Sequence, residues 1–288
     1  MATPDTRTVK SAIVDRYGAR AAAQQADPGS CCGDSETSCC APTPTGPQVF
    51  STGLYAAEHL AGVPLTAELA SLGCANPHAL ADLAPGQTVL DLGSGAGLDV
   101  IIAAKRVGPS GRALGVDLTP EMVALAEQNA RDAGISNVEF RVGDIEDLPY
   151  ADRSVDVVMS NCVLNLASTK RDVFDEIARV LRPGGRIAVA DVVIDGELPA
   201  TELAATLRAD LFAWGSCIAG ALTVSEFSTF LTDHGFEHVD VDIVRRHTAD
   251  ELLPPPRPAW MDAADPGELR ELMSHYASAF VRAARAER

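Results

Sequence analysis

The feature that most constrains this 288-residue chain is a repeated alternation of short apolar runs with runs of helical spacing, between residues 88 and 193. Apolar runs of four to eight residues predict buried strands, whereas apolar residues spaced three and four apart predict helices. Such alternation is typical of an α/β fold with a doubly wound parallel sheet. The predicted strands are 88–92, 113–116, 138–142, 154–159 and 186–193; the predicted helices are 98–107, 120–133, which Thr119 should cap, and 173–181.

A glycine-rich loop follows the first predicted strand directly. Gly93, Gly95 and Gly97 lack side chains, so the backbone there can turn tightly and approach a ligand closely. Asp117 ends the second strand, where an acid can accept hydrogen bonds from both hydroxyls of a ribose. The two features together predict a ribose-bearing cofactor. An ordinary tight turn between strand and helix is the alternative.

The end of the third strand distinguishes between ribose-bearing cofactors. Asp144, in the segment 143–149, offers a carboxylate for an adenine amino group. With the segment 181–186 before the fifth strand, these residues resemble the class I methyltransferases, which use S-adenosylmethionine on a Rossmann-like sheet. The resemblance covers about 87–194. It implies a cofactor-binding set of Asp91, Gly93, Gly95, Gly97, Asp117, Met122, Asp144, Ile145 and Asn161.

Three of the seven cysteines have distinctive neighbours: Cys74 in 73–77, Cys162 in 160–166 and Cys217 in 217–221. A single cysteine is more often a small buried hydrophobic residue than a ligand, but three such settings together favour a thiol site. With the segments 91–97 and 115–122, they resemble the arsenite methyltransferases. This narrower resemblance implies that Cys162 and Cys217 hold trivalent arsenic. Cys74 would complete the site or pair with one of them when oxidised.

Charge and composition exclude other partners. Forty acidic residues against 23 basic ones give a net charge of −17, which repels nucleic acid and anionic membrane surfaces. No apolar run approaches the ~20 residues of a membrane span. Charged residues interrupt the first twenty positions, so we expect no secretory signal and a cytoplasmic location. Thiols there stay reduced, which favours ligands or redox pairs over structural disulfides.

The composition divides the chain into three zones. Residues 1–50 should be a flexible arm with a short helix over 8–25, residues 51–195 the cofactor-binding core, and residues 196–288 a smaller α+β region. In the last zone we expect a helix over 200–220 carrying Cys217 near its end. Further helices are expected over 223–234 and 267–275, a strand over 239–244, and a returning edge strand over 276–281.

The arm carries two adjacent cysteine pairs, whose spacing lacks the separation of common zinc sites. One of these thiols could join the arsenic site or relay electrons to it. Alternatively, they are exposed thiols that capture soft metals without catalysing anything. The pairs are Cys31 with Cys32 and Cys39 with Cys40.

Resemblance to the arsenite methyltransferases implies transfer of methyl groups from S-adenosylmethionine to thiol-bound trivalent arsenic. The substrate would be arsenite or its thiol conjugates. The reductant would be an external thiol, either thioredoxin or a low-molecular-weight thiol. Two alternatives stay open: a methyltransferase of a small organic molecule such as a quinone or sterol-like compound, and a thiol-rich protein that sequesters soft metals.

Overall fold

The computed structural model describes residues 5–26, 60–70, 82–253 and 257–287. In these ranges one sheet contains all the strands, with seven of them in the order β3-β2-β1-β4-β5-β8-β7 and β6 paired with β5. The strands are β1 (Thr88–Leu92), β2 (Arg112–Asp117), β3 (Val138–Val142), β4 (Val155–Asn161), β5 (Leu181–Ile194), β6 (Leu222–Thr223), β7 (Phe236–Arg246) and β8 (Tyr276–Arg285).

Helices cover the sheet and complete the C-terminal region. They are α1 (Thr6–Ala26), α2 (Leu65–Ala70), α3 (Leu98–Val107), α4 (Pro120–Asp132), α5 (Lys170–Val180), α6 (Glu202–Ala209), α7 (Leu211–Trp214), α8 (Val224–Asp233), α9 (Ala249–Leu252), α10 (Ala259–Ala263) and α11 (Pro266–Ser274). Among the described residues, no helix combines the length and the apolar character needed to span a membrane.

The five strands β1 to β5 are parallel, as the sequence predicts. The bounds of β1, β3 and α3 are those predicted, whereas β5 begins at Leu181, before the predicted start at Arg186. Leu92, at the end of β1, pairs with Val116 of β2 and with Ser160 of β4. The strand order reverses beside β1, and ligands bind such sheets at this switch point, beyond the carboxyl ends of the strands.

The last strand, β8, lies inside the sheet, so the prediction of an edge strand is wrong. It runs antiparallel between β5 and β7 and pairs with β5 from Tyr276 to Ala284. Its residues Tyr276, Ala277 and Ala279 are fully buried. The edge is β7, whose side chains are mostly exposed or half-buried. Which of the two strands occupies the edge depends on long-range pairing, which local sequence does not encode.

The N-terminal helix α1 is two residues longer at its start than predicted, and it packs on the core. Val9, Ile13 and Ala21 of this helix are buried. Tyr17 contributes to the cluster that includes Met122. The described part of the predicted flexible arm is therefore a docked helix. The cysteine pairs of the arm lie outside the described residues, and the division of the chain at 50 and 195 stays a prediction.

The helix predicted over 200–220 is interrupted, so Cys217 lies in a turn beyond α7. Asp210 ends α6 and caps α7, because its carboxylate accepts a hydrogen bond from Ala213 N. Thr119 occupies the N-cap position of α4, but its side chain makes no capping bond. Its backbone N instead donates to the carboxylate of Asp117 at 2.9 Å.

Candidate active site

The glycine loop after β1 has the conformation that glycine is needed for. Gly93 has φ +67°, and a Cβ there would lie 2.4 Å from a methyl carbon of Val163. Gly97 has φ +86°, and its Cβ would approach Ala126 and Phe140 to 3.0 Å. Gly95 has φ +50°, and a Cβ there would meet no other described atom within 4 Å, so the loop is open at that point.

A pocket opens beside this loop at the carboxyl ends of β1, β2, β3 and β4. Eight of the nine predicted cofactor-binding residues line it, and the ninth, Gly97, shapes the loop. The eight are Asp91, Gly93, Gly95, Asp117, Met122, Asp144, Ile145 and Asn161. The structure therefore brings the predicted set together, although their individual roles stay predictions.

Polar atoms in this pocket are buried and incompletely bonded. Asp91 is 3% exposed, and within the described part of the chain its Oδ1 and the hydroxyl of Ser94 have no hydrogen-bond partner. Burial raises the pKa of Asp91 well above its usual value, and the charges of Asp99 and Asp117 raise it further. A buried carboxyl and a buried hydroxyl without partners fit a polar ligand that donates hydrogen bonds.

Asp117 stabilises the loop and still has acceptor capacity. Its Oδ2 accepts a hydrogen bond from Gly95 N at 2.9 Å, and its Oδ1 accepts one from Thr119 N. Burial raises the pKa of Asp117, whereas these two backbone bonds lower it. A carboxylate has about four lone-pair sites. Because the side chain of Thr119 also bonds to this carboxylate, Asp117 can hold the loop and accept one further hydrogen bond, from a ribose hydroxyl.

Sequence reasoning missed that α1 forms one wall of the pocket, through Lys10, Ile13 and Tyr17. The ammonium of Lys10 forms ion pairs with both Asp144 and Glu146. The spacing of Val9, Ile13 and Tyr17 at four-residue intervals was the available signal, since such residues share one helix face.

The two cysteines described by the structure both have left-handed backbones. Cys162 follows β4 with φ +59°, and Cys217 lies in the turn after α7 with φ +62°. Such conformations are uncommon outside glycine, asparagine and aspartate, and they cluster at functional sites. Local bonds hold them: Cys162 N donates to Ala190 O at 2.8 Å, and Cys217 N donates to Trp214 O at 3.0 Å.

The same turns bring the two sulfur atoms together. The Sγ atoms of Cys162 and Cys217 and a carboxylate oxygen of Asp191 lie within 4.8 Å of one another, and all three residues are buried. The Cys217 thiol donates to the carbonyl of Cys162 at 2.7 Å. Burial raises the pKa of Cys217 well above its usual value, and the charge of Asp191 raises it further.

The redox states of the two cysteines differ in this structure. Cys162 is disulfide-bonded, whereas Cys217 is a free thiol. Cys74, the third predicted ligand, lies outside the described residues, as do Cys31, Cys32, Cys39 and Cys40. The structure thus brings together two of the three predicted arsenic ligands and leaves the third untested.

A polar network that the sequence did not reveal supports this site. Asn165 Nδ2 donates to Asp191 Oδ1 at 2.9 Å and to Cys217 O at 3.1 Å. Burial raises the pKa of Asp191 to about 7, although the charge of Lys170 opposes this. The ammonium of Lys170 donates to three carbonyls of the turn between β4 and α5. The network therefore links β5, this turn and the Cys217 loop.

Gly220 lets the Cys217 loop approach this turn. A Cβ at Gly220 would lie 2.1 Å from the backbone oxygen of Asn165 and 2.6 Å from the ring of Trp214. Arg208 also holds the loop, because its guanidinium donates to Ala219 O and Ala221 O at 2.9 and 3.0 Å. Glycine is therefore required at position 220 for steric reasons, because any larger residue would push the Cys217 loop away from Asn165.

Comparison with known proteins first identifies the class of protein to which the chain belongs. A family described as "Methyltransferase domain" matches residues 83–235, more than half of the chain. The match contains the glycine loop, the parallel strands β1 to β5 and the Cys217 turn. Fold and pocket agree with this class, because the pocket lies where such sheets bind nucleotide-like ligands.

Individual relatives then narrow the family. The arsenite methyltransferase of Halobacterium salinarum is 43% identical over 84% of this chain and 60% of its own length. The human arsenite methyltransferase is 38% identical over 51% of this chain and 40% of its own length. The crystal structure of an arsenic(III) S-adenosylmethionine methyltransferase from Chlamydomonas reinhardtii has 32% identity and a TM-score of 0.62. The structural match covers 80% of this chain and 72% of the Chlamydomonas chain.

The chain belongs to the arsenite methyltransferase branch of the methyltransferase family. It spans about 60% of the length of the Halobacterium relative and less than half of the human one. The resemblance expected from the sequence motifs is therefore confirmed at the level of the family.

Proposed function

We propose that this protein transfers the methyl group of S-adenosylmethionine to trivalent arsenic held by Cys162 and Cys217. The observation that carries the proposal is the proximity of the two sulfur atoms, within 4.8 Å, at the border of the donor pocket. Cys162 belongs to both features, because it also lines that pocket together with Asn161 and Val163.

The pocket residues suit this methyl donor. The donor supplies an electrophilic methyl group on a positively charged sulfonium. In the described lining, acidic side chains outnumber the single basic one, Lys10, and favour a cation there: Asp99, Asp117, Asp144 and Glu146. Asp91 and Ser94 offer buried polar atoms for the donor's polar groups, and Asp117 offers acceptor capacity for the ribose.

The thiol cluster suits the acceptor. Trivalent arsenic is a soft centre, and soft centres select sulfur ligands. Bound by thiolates, arsenic keeps a lone pair that serves as the nucleophile, so no general base is required. Cys74, with or without one of the N-terminal thiols, would complete the set of three sulfur ligands. The burial of Cys162 and Cys217 keeps water away from the bound arsenic.

The chain contributes chiefly by positioning. Cys162 directly follows Asn161, the last residue of β4, so its thiol lies at the donor pocket. The turn that contains Cys217 places the second thiol beside it. Fixing two reactants in aligned contact contributes ~7–11 kcal/mol relative to a bimolecular reaction. The left-handed backbones of both cysteines are consistent with such positioning, since the surrounding bonds hold them in an uncommon conformation.

A reductant completes the proposed cycle. Methyl transfer to the lone pair raises the formal oxidation state of arsenic from three to five, so thiols must return two electrons. Cys162 is disulfide-bonded in this structure, which is the state that such a step would leave. An external thiol, thioredoxin or a low-molecular-weight thiol, would then reopen the disulfide by exchange in the reducing cytoplasm.

The decisive experiment is incubation of purified protein with arsenite, S-adenosylmethionine and a thiol, followed by chromatography of arsenic species with mass detection. Methylated arsenicals are expected from the wild type, and Cys162→Ser and Cys217→Ser should abolish them. Cys39→Ser should have a smaller effect. Unchanged methylation in both serine variants would refute the assigned ligands, and arsenite binding without consumption of the donor would indicate a sequestering protein.

A further inference from the structure

We propose that Asp191 is part of the arsenic site, where its carboxylate accepts a hydrogen bond from the hydroxyl left on arsenite after Cys162 and Cys217 have each displaced one. This inference rests on the proposed function and adds an oxygen acceptor to a site otherwise made of sulfur. It also assigns Asp191 a role in selecting between inorganic and methylated arsenic.

The fold ties Asp191 to both thiols. Asp191 is fully buried on β5, and its neighbour Ala190 accepts the hydrogen bond from Cys162 N. Asn161, which precedes Cys162, pairs with Ala190 in the parallel register of β4 and β5. On the other side, Asn165 bridges Asp191 to the carbonyl of Cys217. The carboxylate is therefore held at the cluster by two strands and one side chain.

The distances suit a hydrogen bond through a bound hydroxyl. A carboxylate oxygen of Asp191 lies within 4.8 Å of both sulfur atoms, and an atom gripped by the sulfurs would lie between them. A hydroxyl on that atom can then reach the carboxylate at the 2.5–3.0 Å typical of O–H···O bonds. Asp191 Oδ1 accepts from Asn165 Nδ2 and Val192 N, and Oδ2 accepts a long bond of 3.3 Å from Asn165 N. The backbone N–H of Leu164 also interacts with this carboxylate, and because the bond from Asn165 N to Oδ2 is long, a hydroxyl on arsenic can compete for that oxygen.

The exchange is balanced without any oxidant. After an external thiol has reduced the disulfide of Cys162 by exchange, arsenite, As(OH)₃, reacts with the two reduced thiols to give an arsenic with two As–S bonds and one remaining hydroxyl. Two As–O and two S–H bonds break, and two water molecules leave with the thiol protons. Arsenic stays trivalent. A third thiol would later displace the remaining hydroxyl as a third water.

This arrangement predicts selectivity for the inorganic substrate. Methylarsonous acid carries one methyl group and two hydroxyls, so binding to two thiols removes both hydroxyls. Its methyl group would then face a buried carboxylate and could not donate a hydrogen bond to it. Asp191 should therefore stabilise bound arsenite and leave bound methylarsonous acid without that contact. A buried charged acceptor that loses its partner is costly.

The test compares Asp191→Asn with its parent in a full-length background in which Cys74, Cys31, Cys32, Cys39 and Cys40 are replaced by serine. Only Cys162 and Cys217 then remain as thiols, and a phosphine keeps them reduced. Equilibrium dialysis with elemental detection gives the affinities for arsenite and methylarsonous acid. Asp191→Asn should weaken arsenite binding about tenfold or more, as expected for a hydrogen bond to a charged group, and change methylarsonous acid binding less than about twofold.

Asp195→Asn is the matched control, because this carboxylate is exposed just beyond β5 and pairs with Arg246. It should change neither affinity. Equal losses for both arsenicals in Asp191→Asn would indicate a purely structural role and overturn the inference, as would no change for either. If the parent binds neither arsenical, two thiols do not suffice and this inference is overturned, whereas the proposed function stands or fails on methylation of arsenite by the wild type, which separates the two failures.

A second measurement keeps the inference falsifiable if Asp191→Asn does not fold, which loss of S-adenosylhomocysteine binding would reveal. A crystal structure of the same parent with arsenite should show arsenic bound to two sulfurs and one oxygen. That oxygen should lie within hydrogen-bond distance of the Asp191 carboxylate. A hydroxyl directed elsewhere would overturn the inference.

Discussion

Gly220 provides a direct test of how the fold sets the spacing of the two sulfur atoms. In Gly220→Ala the new Cβ would lie 2.1 Å from the backbone oxygen of Asn165, whereas ordinary contacts begin at 3.4 Å. A backbone oxygen cannot rotate away, and the new Cβ would also lie 2.6 Å from the ring of Trp214. Relief therefore requires the Cys217 loop to move from the turn by roughly 1 Å in an interior packed as densely as a crystal.

The expected cost follows from this geometry. Overpacking of a core costs ~1–3 kcal/mol, and simultaneous clashes with a fixed backbone atom and a buried ring place this substitution near 3 kcal/mol. For a chain of this size each kcal/mol lowers the melting temperature by about 2–4 °C, so the midpoint should fall by about 6–12 °C. Arsenite affinity should also fall, because the loop carries Cys217.

Urea unfolding and thermal melts measure the stability, and equilibrium dialysis measures arsenite binding. Gly18→Ala is the matched control: Gly18 lies within α1, and its Cβ would make an ordinary contact of 3.5 Å with the side chain of Glu121 in α4. Alanine is the better helix former by up to ~1 kcal/mol, so this variant should be neutral or more stable. If Gly220→Ala unfolds with a free energy within about 0.5 kcal/mol of the wild type, the close approach of loop and turn is refuted.

Two further predictions concern the donor pocket and pH. Lys10→Met removes the cation that holds α1 against Asp144 and Glu146, so S-adenosylhomocysteine should bind several-fold more weakly when its affinity is measured by calorimetry. Arg7→Met, a change at an exposed residue of the same helix, should leave that affinity unchanged. Equal affinities in the wild type and Lys10→Met would show that these ion pairs do not hold α1 at the pocket. Burial lowers the pKa of His247 from 6.5 to about 4, so below pH 6.5 the unfolded chain takes up a proton that the folded protein does not. The contribution of His247 to stability should therefore fall by about 2 kcal/mol between pH 7 and pH 5, while the buried Asp191, whose pKa is raised to about 7, contributes in the opposite direction. The difference in unfolding free energy between the wild type and His247→Gln, measured by urea titration, should change by that amount over this range. A difference that stays constant would exclude this contribution of His247.

The parallel core was predictable because its signals are local. Short apolar runs bounded by glycine and acidic residues predict β1 to β5 with little reference to the rest of the chain. Once such strands lie in parallel, their carboxyl ends share one edge of the sheet. Residues as distant in sequence as Asp91, Asp117 and Asp144 therefore meet in one pocket without any knowledge of their contacts.

The position of β8 and the docking of α1 were not predictable in the same way. Both depend on contacts between segments far apart in the chain, such as Lys10 with Asp144. A local pattern identifies a strand or a helix but not its neighbour. The second half of β8 is rich in alanine, and no feature of its sequence predicts that it pairs with β5 on one side and β7 on the other.

Asp191 was missed for a related reason. It lies inside an apolar run, 187–194, and a single acid there does not change the prediction of a buried strand. Its significance comes from the Cys217 turn and from Asn165, which reach it only in the folded protein. The two cysteines are recognisable from sequence alone because their neighbours in sequence are distinctive. The neighbours of Asp191 in sequence, by contrast, are ordinary strand residues.

Helix α1 links the two halves of the site. Tyr17 lines the donor pocket, and its hydroxyl donates at 3.4 Å to the carbonyl of Gly215, two residues before Cys217. On the same helix, Arg16 lies over the ring of Phe212 in α7 at 4.9 Å. Because α1 contacts the donor pocket and also the segment that leads to Cys217, displacement of α1 would expose both to water. If the proposed function holds, exclusion of water from the methyl donor and from bound arsenic therefore depends on this one helix.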